Sequence, residues 1–440
     1  MRDLASRLRA IVHGGGRVLT YEPDGASASD VDAPARIAET LGGECCAAGC
    51  VVIDRVLTAE QWHGRRAVGS YVLNPASPLG VIDPRCAPAA DWASRPVFFD
   101  IETTGLSGGA GTVAFLAGCG WFEGGDFRVR QFLLTSPAGE PALLDRLGAL
   151  LRGASLLVTY NGRTFDVPFM AMRWAFHRQE SPIDAVPHLD MLPPARRLWS
   201  RDDVPDRGCT LGALERSVLG FHRLADVPGF EIPARYYQFL RTGECRPLEG
   251  VLDHNRHDLI SLAAVTSHAL WLVAEGPDAC RDGFEQFALG RLYERAGDGL
   301  RAVEAYQRAA SAIEPEVRQH AHARLAVRFR RERRFDEAAS AWSRVLAEGA
   351  HATRNARAWT ALERQAAEAL AIHHEHRVRD LAGARRYAET MREAGGHDVH
   401  AERSAADADY RIARLDRKMR RTGTNNKGGP EAARLLDDET

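Results

Sequence analysis

The apolar positions of this 440-residue chain fall into two regimes. Between residues 95 and 200 they form short blocks cut by turn residues. Val97-Phe98-Phe99, Leu156-Leu157-Val158 and Val186–Met191 are such blocks. Each has the length and continuity of a buried strand. Val113–Leu134 is longer and is broken at Gly124-Gly125, which predicts an antiparallel hairpin. Helix-like segments lie between the blocks, among them Thr210–Leu219. Residues 95–275 therefore predict an α/β domain with a mixed sheet. From residue 284 to 395 the pattern is helical throughout, and it repeats: Leu289, Ala305 and Tyr306 recur 36 residues later as Leu325, Ala341 and Trp342. Residues 1–94 are rich in Gly, Ala, Pro and Asp. They read as an N-terminal extension of no assignable role, with a short helix over Met1–Ala10 and strand content at Cys50–Asp54 and Ala67–Leu73. Residues 422–440 hold Gly, Asn and acids and predict a disordered tail.

Three acidic motifs carry the candidate chemistry. Asp100 and Glu102 end the Val97-Phe98-Phe99 block, two residues apart. A strand alternates its side chains, so both carboxylates point to one face. Two such acids repel each other unless a cation lies between them, and hard oxygen ligands suit Mg²⁺ or Mn²⁺. A bare Asp-x-Glu would more often be a surface pair. What lifts it is the sequel. Leu156–Thr159 runs into the turn signal Asn161-Gly162, then Phe165 and Asp166, with Pro168 suited to a first helical turn. Asp166 reads as a ligand or as a helix cap. Last, His254 and Asp258 sit four apart on a helix whose apolar positions are Leu252, Leu259, Leu262 and Ala263.

Two further stretches stay open. The glycine-rich turn Gly105–Thr112 lacks a Gly-Lys-Ser/Thr ending and leads into a strand, which excludes a P-loop. It is a bend, or a turn that lets substrate approach the backbone. Asp190, on the block with His188, is either a neighbour of the acids or a structural acid.

In order and spacing, the three motifs resemble the DEDD superfamily of exonucleases over about residues 95–275. Within it the chain is most similar to the YprB-like group of bacterial RNase H-like proteins, through the glycine-rich turn and the hairpin after it. The resemblance implies an RNase H-like fold and hydrolysis of phosphodiester bonds from the 3′ end of DNA or RNA, on single-stranded ends. It implies that Asp100, Glu102, Asp166 and Asp258 hold two Mg²⁺ or Mn²⁺ ions. Asp100 would bridge them, and Glu102 would also place the scissile phosphate or terminal sugar. Thr103, Asn161 and Phe165 would line the pocket for the terminal nucleotide, although Phe165 fits a core position equally. The base departs from the family patterns. One subclass has Tyr four residues before the last Asp, the other His five before it. His254 has the spacing of the first and the chemistry of the second, and an imidazole suits deprotonation of water near neutral pH. Asp253 lacks that chemistry, and His257 points elsewhere on the helix. Members of the group often carry a tetratricopeptide-like region, which the 36-residue offset resembles. That region would bind a protein partner or simply cap the nuclease domain.

Charge and cysteine usage add little that is specific. The net charge is −2, but residues 285–421 hold 27 Lys and Arg against 21 Asp and Glu. Such a half recruits a polyanion or is an ordinary Arg-rich surface. Tyr236, Tyr237 and Phe239 would stack on bases or fill a core. The eight cysteines contain no Cys-x-x-Cys pair, which argues against a zinc ribbon and for a reducing, cytoplasmic setting. No continuous apolar run approaches the roughly 20 residues of a membrane span. The alternative to an exonuclease is a catalytically silent scaffold that binds nucleic acid or protein. Endonuclease activity also stays open.

Overall fold

A computed structural model describes residues 33–86, 91–105, 111–200, 208–351, 361–393 and 399–425. The expected helix Met1–Ala10, the centre of the glycine-rich turn, the acids Asp202, Asp203 and Asp206, and the tail from residue 426 lie outside them.

Seven strands form one mixed sheet in the order β1-β2-β7-β6-β5-β8-β9. They are β1 (Glu44–Ala47), β2 (Cys50–Leu57), β5 (Pro96–Thr103), β6 (Ala114–Glu123), β7 (Asp126–Leu134), β8 (Leu156–Thr159) and β9 (His188–Asp190). β5 pairs antiparallel with β6 and parallel with β8, and β9 continues the parallel side. The apolar run on β5 is explained by its central place. Val97, Phe99 and Ile101 enter the core on one face, while Phe98 enters the core on the other. Asp100 and Glu102 follow Phe98 in the alternation and so stand on its face.

Two expectations for the first 94 residues are corrected. The segment is not an extension: β1 and β2 complete the sheet, with β2 antiparallel to β7 from Cys50↔Leu134 to Leu57↔Phe127. Asp54 and Arg130 face each other across that pair at 2.7 Å. Ala67–Leu73 is also not a strand. Only the short β3 (Trp62–His63) and β4 (Arg66–Ala67) pair there, and Val68–Tyr71 is a 3₁₀ turn. Its buried residues, Val68 and Tyr71, are three apart, which is a helical and not an alternating spacing.

In chain order, α1 (Ala33–Leu41), α2 (Leu79–Ile82), α3 (Glu140–Leu151), α4 (Asp166–Phe176), α5 (Leu192–Trp199), α6 (Leu211–Leu214) and α7 (Ile232–Thr242) surround the sheet. α8 (Arg246–Glu275) then packs across β5, β6 and β7. By length and composition α8 is apolar enough to cross a membrane, although polar residues interrupt every apolar run in it. Its place is the interior of the fold, where Leu259–Ser267 are all buried.

α8 approaches the sheet at Gly118, which lies opposite Asp100 on β6. A Cβ at Gly118 would overlap the Asn255 amide, so only glycine admits α8 at this depth. Gly118→Ala is therefore expected to destabilise the protein by about 1–3 kcal/mol, the usual effect of overpacking. Because Asn255 hydrogen-bonds Asp100, it should also weaken divalent-metal binding; an unchanged urea midpoint and unchanged metal affinity would refute this.

The rest of the chain is helical: α9 (Gly283–Ala296), α10 (Gly299–Ala309), α11 (Pro315–Arg331), α12 (Phe335–His351), α13 (Ala361–His373), α14 (Leu381–Glu393) and α15 (Val399–Asn425). They pack as successive antiparallel neighbours, α9 on α10, α11 on α12 and α14 on α15. The 36-residue offset has a packing cause. Gly290 lets the Tyr306 ring lie against α9, and the small residue and large ring recur as Ala326 and Trp342. These helices share one continuous core with a sheet face, from Phe98 and Val158 through Leu259 to Tyr293, Tyr306 and Trp342. Tyr293 donates to the Val273 carbonyl at 2.8 Å, and Trp199 Nε1 donates to Glu285 at 2.7 Å. The last helix runs to Asn425, past the expected start of a disordered tail at 422.

Candidate metal centre

The end of β5, the start of α4 and the first half of α8 bring the four predicted carboxylates together. Asp100 accepts a hydrogen bond from Asn255 Nδ2 at 2.8 Å, and Asn255 is held by Gln131 at 2.9 Å. Asp166 is the first residue of α4; the cap position belongs to Phe165, so the helix-cap alternative for Asp166 does not hold. Its carboxylate accepts from the backbone N–H of Ile101, which ties α4 to β5 between the two β5 acids. Glu102, His254 and Asp258 each place a ligating atom within 4.8 Å of the others.

Electrostatics explain why such a cluster needs a cation. Burial holds the Asp100 carboxyl well above the usual carboxylate range, and repulsion from Asp258, Glu102 and Asp166 adds to it. Burial likewise raises Glu102 to about 8, despite the nearby His254. It raises Asp166 to about 7 against two backbone hydrogen bonds. Asp258 differs, because His254 and Arg223 hold it below its ordinary value in spite of burial.

Arg223, which the sequence did not single out, organises the other side of the site. Its guanidinium contacts Asp258, bonds Glu215 at 2.9 Å and reaches Asp226 at 3.2 Å. Glu215 in turn accepts from Ser261 Oγ, which lies 2.8 Å from His63 Nε2. His254 is clamped between Asp226 (Nδ1, 2.8 Å) and Asp258 (Nε2, 3.3 Å). Burial opposes its charge, but the two carboxylates outweigh burial and push it up to about 9. The residue whose spacing marks it as a base thus enters the site protonated. His257 packs beside Phe221, with ring centres 5.5 Å apart, away from the acids.

The expected substrate contacts are placed less directly. Thr103 is buried, and its hydroxyl donates to the Gly105 carbonyl at 3.0 Å. Asn161 is exposed at φ 68° and shapes the turn, with its side chain accepting from Thr164. Phe165 is half-buried, 6.0 Å from Phe169. Asp190 is a neighbour of the acids, close enough for its charge to act on Asp166, and it also has a structural role: its carboxylate accepts from the N–H groups of Asn161, Arg163 and Leu192. Tyr236 and Phe239 are core, and Tyr236 stacks on Phe115 at 4.0 Å; Tyr237 is exposed.

Stability should therefore depend on pH in a defined direction. Unfolded, Glu102 and Asp166 titrate at 4.5 and 3.8; folded, they keep their protons to about 8 and 7. In that window the folded chain binds more protons, so its stability falls as pH rises. His254, raised from 6.5 to about 9, acts in the same direction, because its contribution is full below 6.5 and lost through 9. Below about pH 6.5 the buried histidines His63 and His268, lowered to about 3 and 4, act the other way, so in EDTA the fall in melting temperature should be read from pH 7 to pH 9. Mn²⁺ should restore it, most strongly above pH 7, with release of protons. A melting temperature that rises between pH 7 and pH 9 in EDTA would contradict this charge arrangement.

A mixed sheet with acids at the end of its central strand, faced by acids on two helices, defines a class. Residues 97–270 match the RNase H superfamily, and the chain belongs to it. Members of this superfamily are typically nucleases that use divalent metals. The chain is also 32% identical over 325 residues to the uncharacterized protein YprB of Bacillus subtilis (strain 168), a stretch covering 73% of this chain and 74% of that protein.

Proposed function

We propose that the protein is a metal-dependent nuclease, a 3′–5′ exonuclease acting on single-stranded DNA or RNA ends. The observation that carries this reading is the convergence of Asp100, Glu102, Asp166 and Asp258, three of them held protonated by burial and mutual repulsion. This donor set fits divalent cations: all hard oxygens, an excess of negative charge, and Asn255 fixing the Asp100 carboxylate. Two bound Mg²⁺ or Mn²⁺ ions would supply charge for activating water and stabilising the leaving oxygen. Asp100, Glu102, Asp166 and Asp258 are the residues that would hold them.

The chain's own residues do the rest. His254, held between Asp226 and Asp258, is the residue placed to exchange a proton with water at the site. Asp226 keeps the imidazole oriented from Nδ1. Thr103, the last residue of β5, and Gly105 in the turn after it would border a terminal sugar.

One observation favours a second reading. Both Asp258 oxygens are engaged, by Arg223 and by His254, so the site partly neutralises itself. That suits a silent scaffold whose helical, tetratricopeptide-like region binds a partner. Hydrolysis of 3′- and 5′-labelled single-stranded DNA and RNA with Mn²⁺, Mg²⁺ or EDTA separates the two. Metal-dependent laddering from the 3′ end, absent in Asp100→Ala, Glu102→Ala, supports the exonuclease. Intact binding without cleavage in either protein supports the scaffold.

A further inference from the structure

The basic character of the helical half is not evenly distributed among partners. On α11, Arg318, Arg324 and Arg328 are each paired with a glutamate. Arg291 and Arg295 of α9 and Arg197 of α5 have neither an ion pair nor a side-chain hydrogen bond among the described residues. Arg291 and Arg295 are four apart and share a helix face. Arg197 faces them from the other domain, and its pKa is lowered by burial and by the charges of Arg295, Arg85 and Arg291, which outweigh the opposing charge of Asp83. Cations gathered without counter-ions are held against their own repulsion, and that repulsion is relieved by an anion.

Arg197 and Arg291 border a cavity of about 340 Å³ between α5 and the helices α9 and α11, and Arg295 lies one turn further along α9. Phe287, Leu198 and His320 form its walls, and among the described residues Glu316 is the one acid in its lining. The Phe287 and His320 rings meet edge to face, with centres 6.0 Å apart. A second basic group leads from here toward the candidate metal centre. Arg85 and Arg163 share the single buried acid Asp83, at 2.9 and 3.5 Å, leaving an excess of positive charge. Arg163 belongs to the turn between Asn161 and Asp166, and its backbone is pinned by Asp190.

We propose that the groove between α5 and α9–α11 is a second binding site, which holds the single-stranded segment of a nucleic acid several nucleotides away from the end at the metal centre. The proposal rests on the nuclease reading for its substrate. Phosphates would lie on Arg197, Arg291 and Arg295, and bases on the aromatic wall. Guanidinium groups beside flat rings are the combination that binds single strands without reading sequence. An acidic peptide would use the charges but not the ring faces.

The test compares the full chain with Arg197→Gln, Arg291→Ala, Arg295→Ala, and with Arg291→Ala, Arg295→Ala alone. The double variant changes only exposed positions on α9, so it guards against misfolding of the triple. Fluorescent 20-nucleotide and 4-nucleotide single strands are titrated in EDTA at several salt concentrations, and hydrolysis of the 4-mer is followed in Mn²⁺. The triple variant should bind the 20-mer about tenfold more weakly or worse, and its salt slope should fall by about two, the value for three lost phosphate contacts on a single strand. The double variant should fall between, and the 4-mer should be bound and cleaved as by wild type. Equal 20-mer affinity and slope in all three proteins would overturn the groove and leave the nuclease reading standing. A variant that loses only binding of a poly-glutamate peptide would overturn it in favour of an acidic protein segment. Absence of any metal-dependent cleavage by wild type would defeat the nuclease reading alone, because the EDTA titrations still decide whether the groove holds a strand.

Discussion

Asp100→Asn should abolish metal-dependent hydrolysis and, in EDTA at pH 8, make the folded protein more stable than wild type. The two effects have one cause. Asp100 is buried among Asp258, Glu102 and Asp166, with only the Asn255 amide to support its charge. The asparagine side chain has the same shape, so Asn255 can bond its carbonyl oxygen, while one of the repelling charges is gone. Relief of that repulsion should be worth on the order of 1 kcal/mol above pH 7. The same change removes the carboxylate that would be shared between two ions. Loss of several kcal/mol of charge stabilisation in the transition state corresponds to about a thousandfold in rate or more. Melting curves with and without Mn²⁺, run beside the labelled-strand assay, check both. A variant that is inactive and also less stable in EDTA at pH 8 would mean that Asp100 is a structural residue.

Arg223→Ala should be the most destabilising single substitution near the site, by about 3–5 kcal/mol. Arg223 and Glu215 are both buried, and Asp258 and Asp226 lie on the same guanidinium. Removing the cation leaves these three carboxylates facing one another with only His254 between them. Lysine should rescue little, because one ammonium cannot reproduce the fork that meets Glu215 and Asp258 together. The urea midpoint at constant slope reads the effect. A loss below about 1 kcal/mol would show that the network is solvated and contributes as little as surface pairs do.

Much of the site was legible because its acids sit on elements with strong periodicity. Asp100 and Glu102 close an apolar strand, Asp166 opens a helix whose Pro168 marks the first turn, and Asp258 shares a face with His254. Arg223 and Asp226 were not legible. They lie in the stretch between Gly220 and Pro228, which has neither alternation nor helical spacing, and only the folded chain brings them to α8. Asn255 stood inside the third motif, but a lone polar residue on a helix gives no sign that a glycine on β6 has made room for it. The strands β1 and β2 were misassigned to an extension because membership of a sheet depends on a partner, β7, some 75 residues away in the chain, at a separation no local pattern encodes. Asp190 shows the opposite limit: a following strand does present an acid near the site, but that acid is consumed by three backbone N–H groups.

The continuous interior that joins the sheet to the helical hairpins has an evolutionary consequence. A module joined to its neighbour by a linker can be exchanged for another at the level of the gene. Here a break after α8 would strip Tyr293 from Val273 and Glu285 from Trp199, and would open the sheet-side core to water. The two halves are thus bound to descend together, and substitutions at their junction must be accepted in compensating pairs. The 325-residue similarity to YprB is accordingly longer than the 97–270 match.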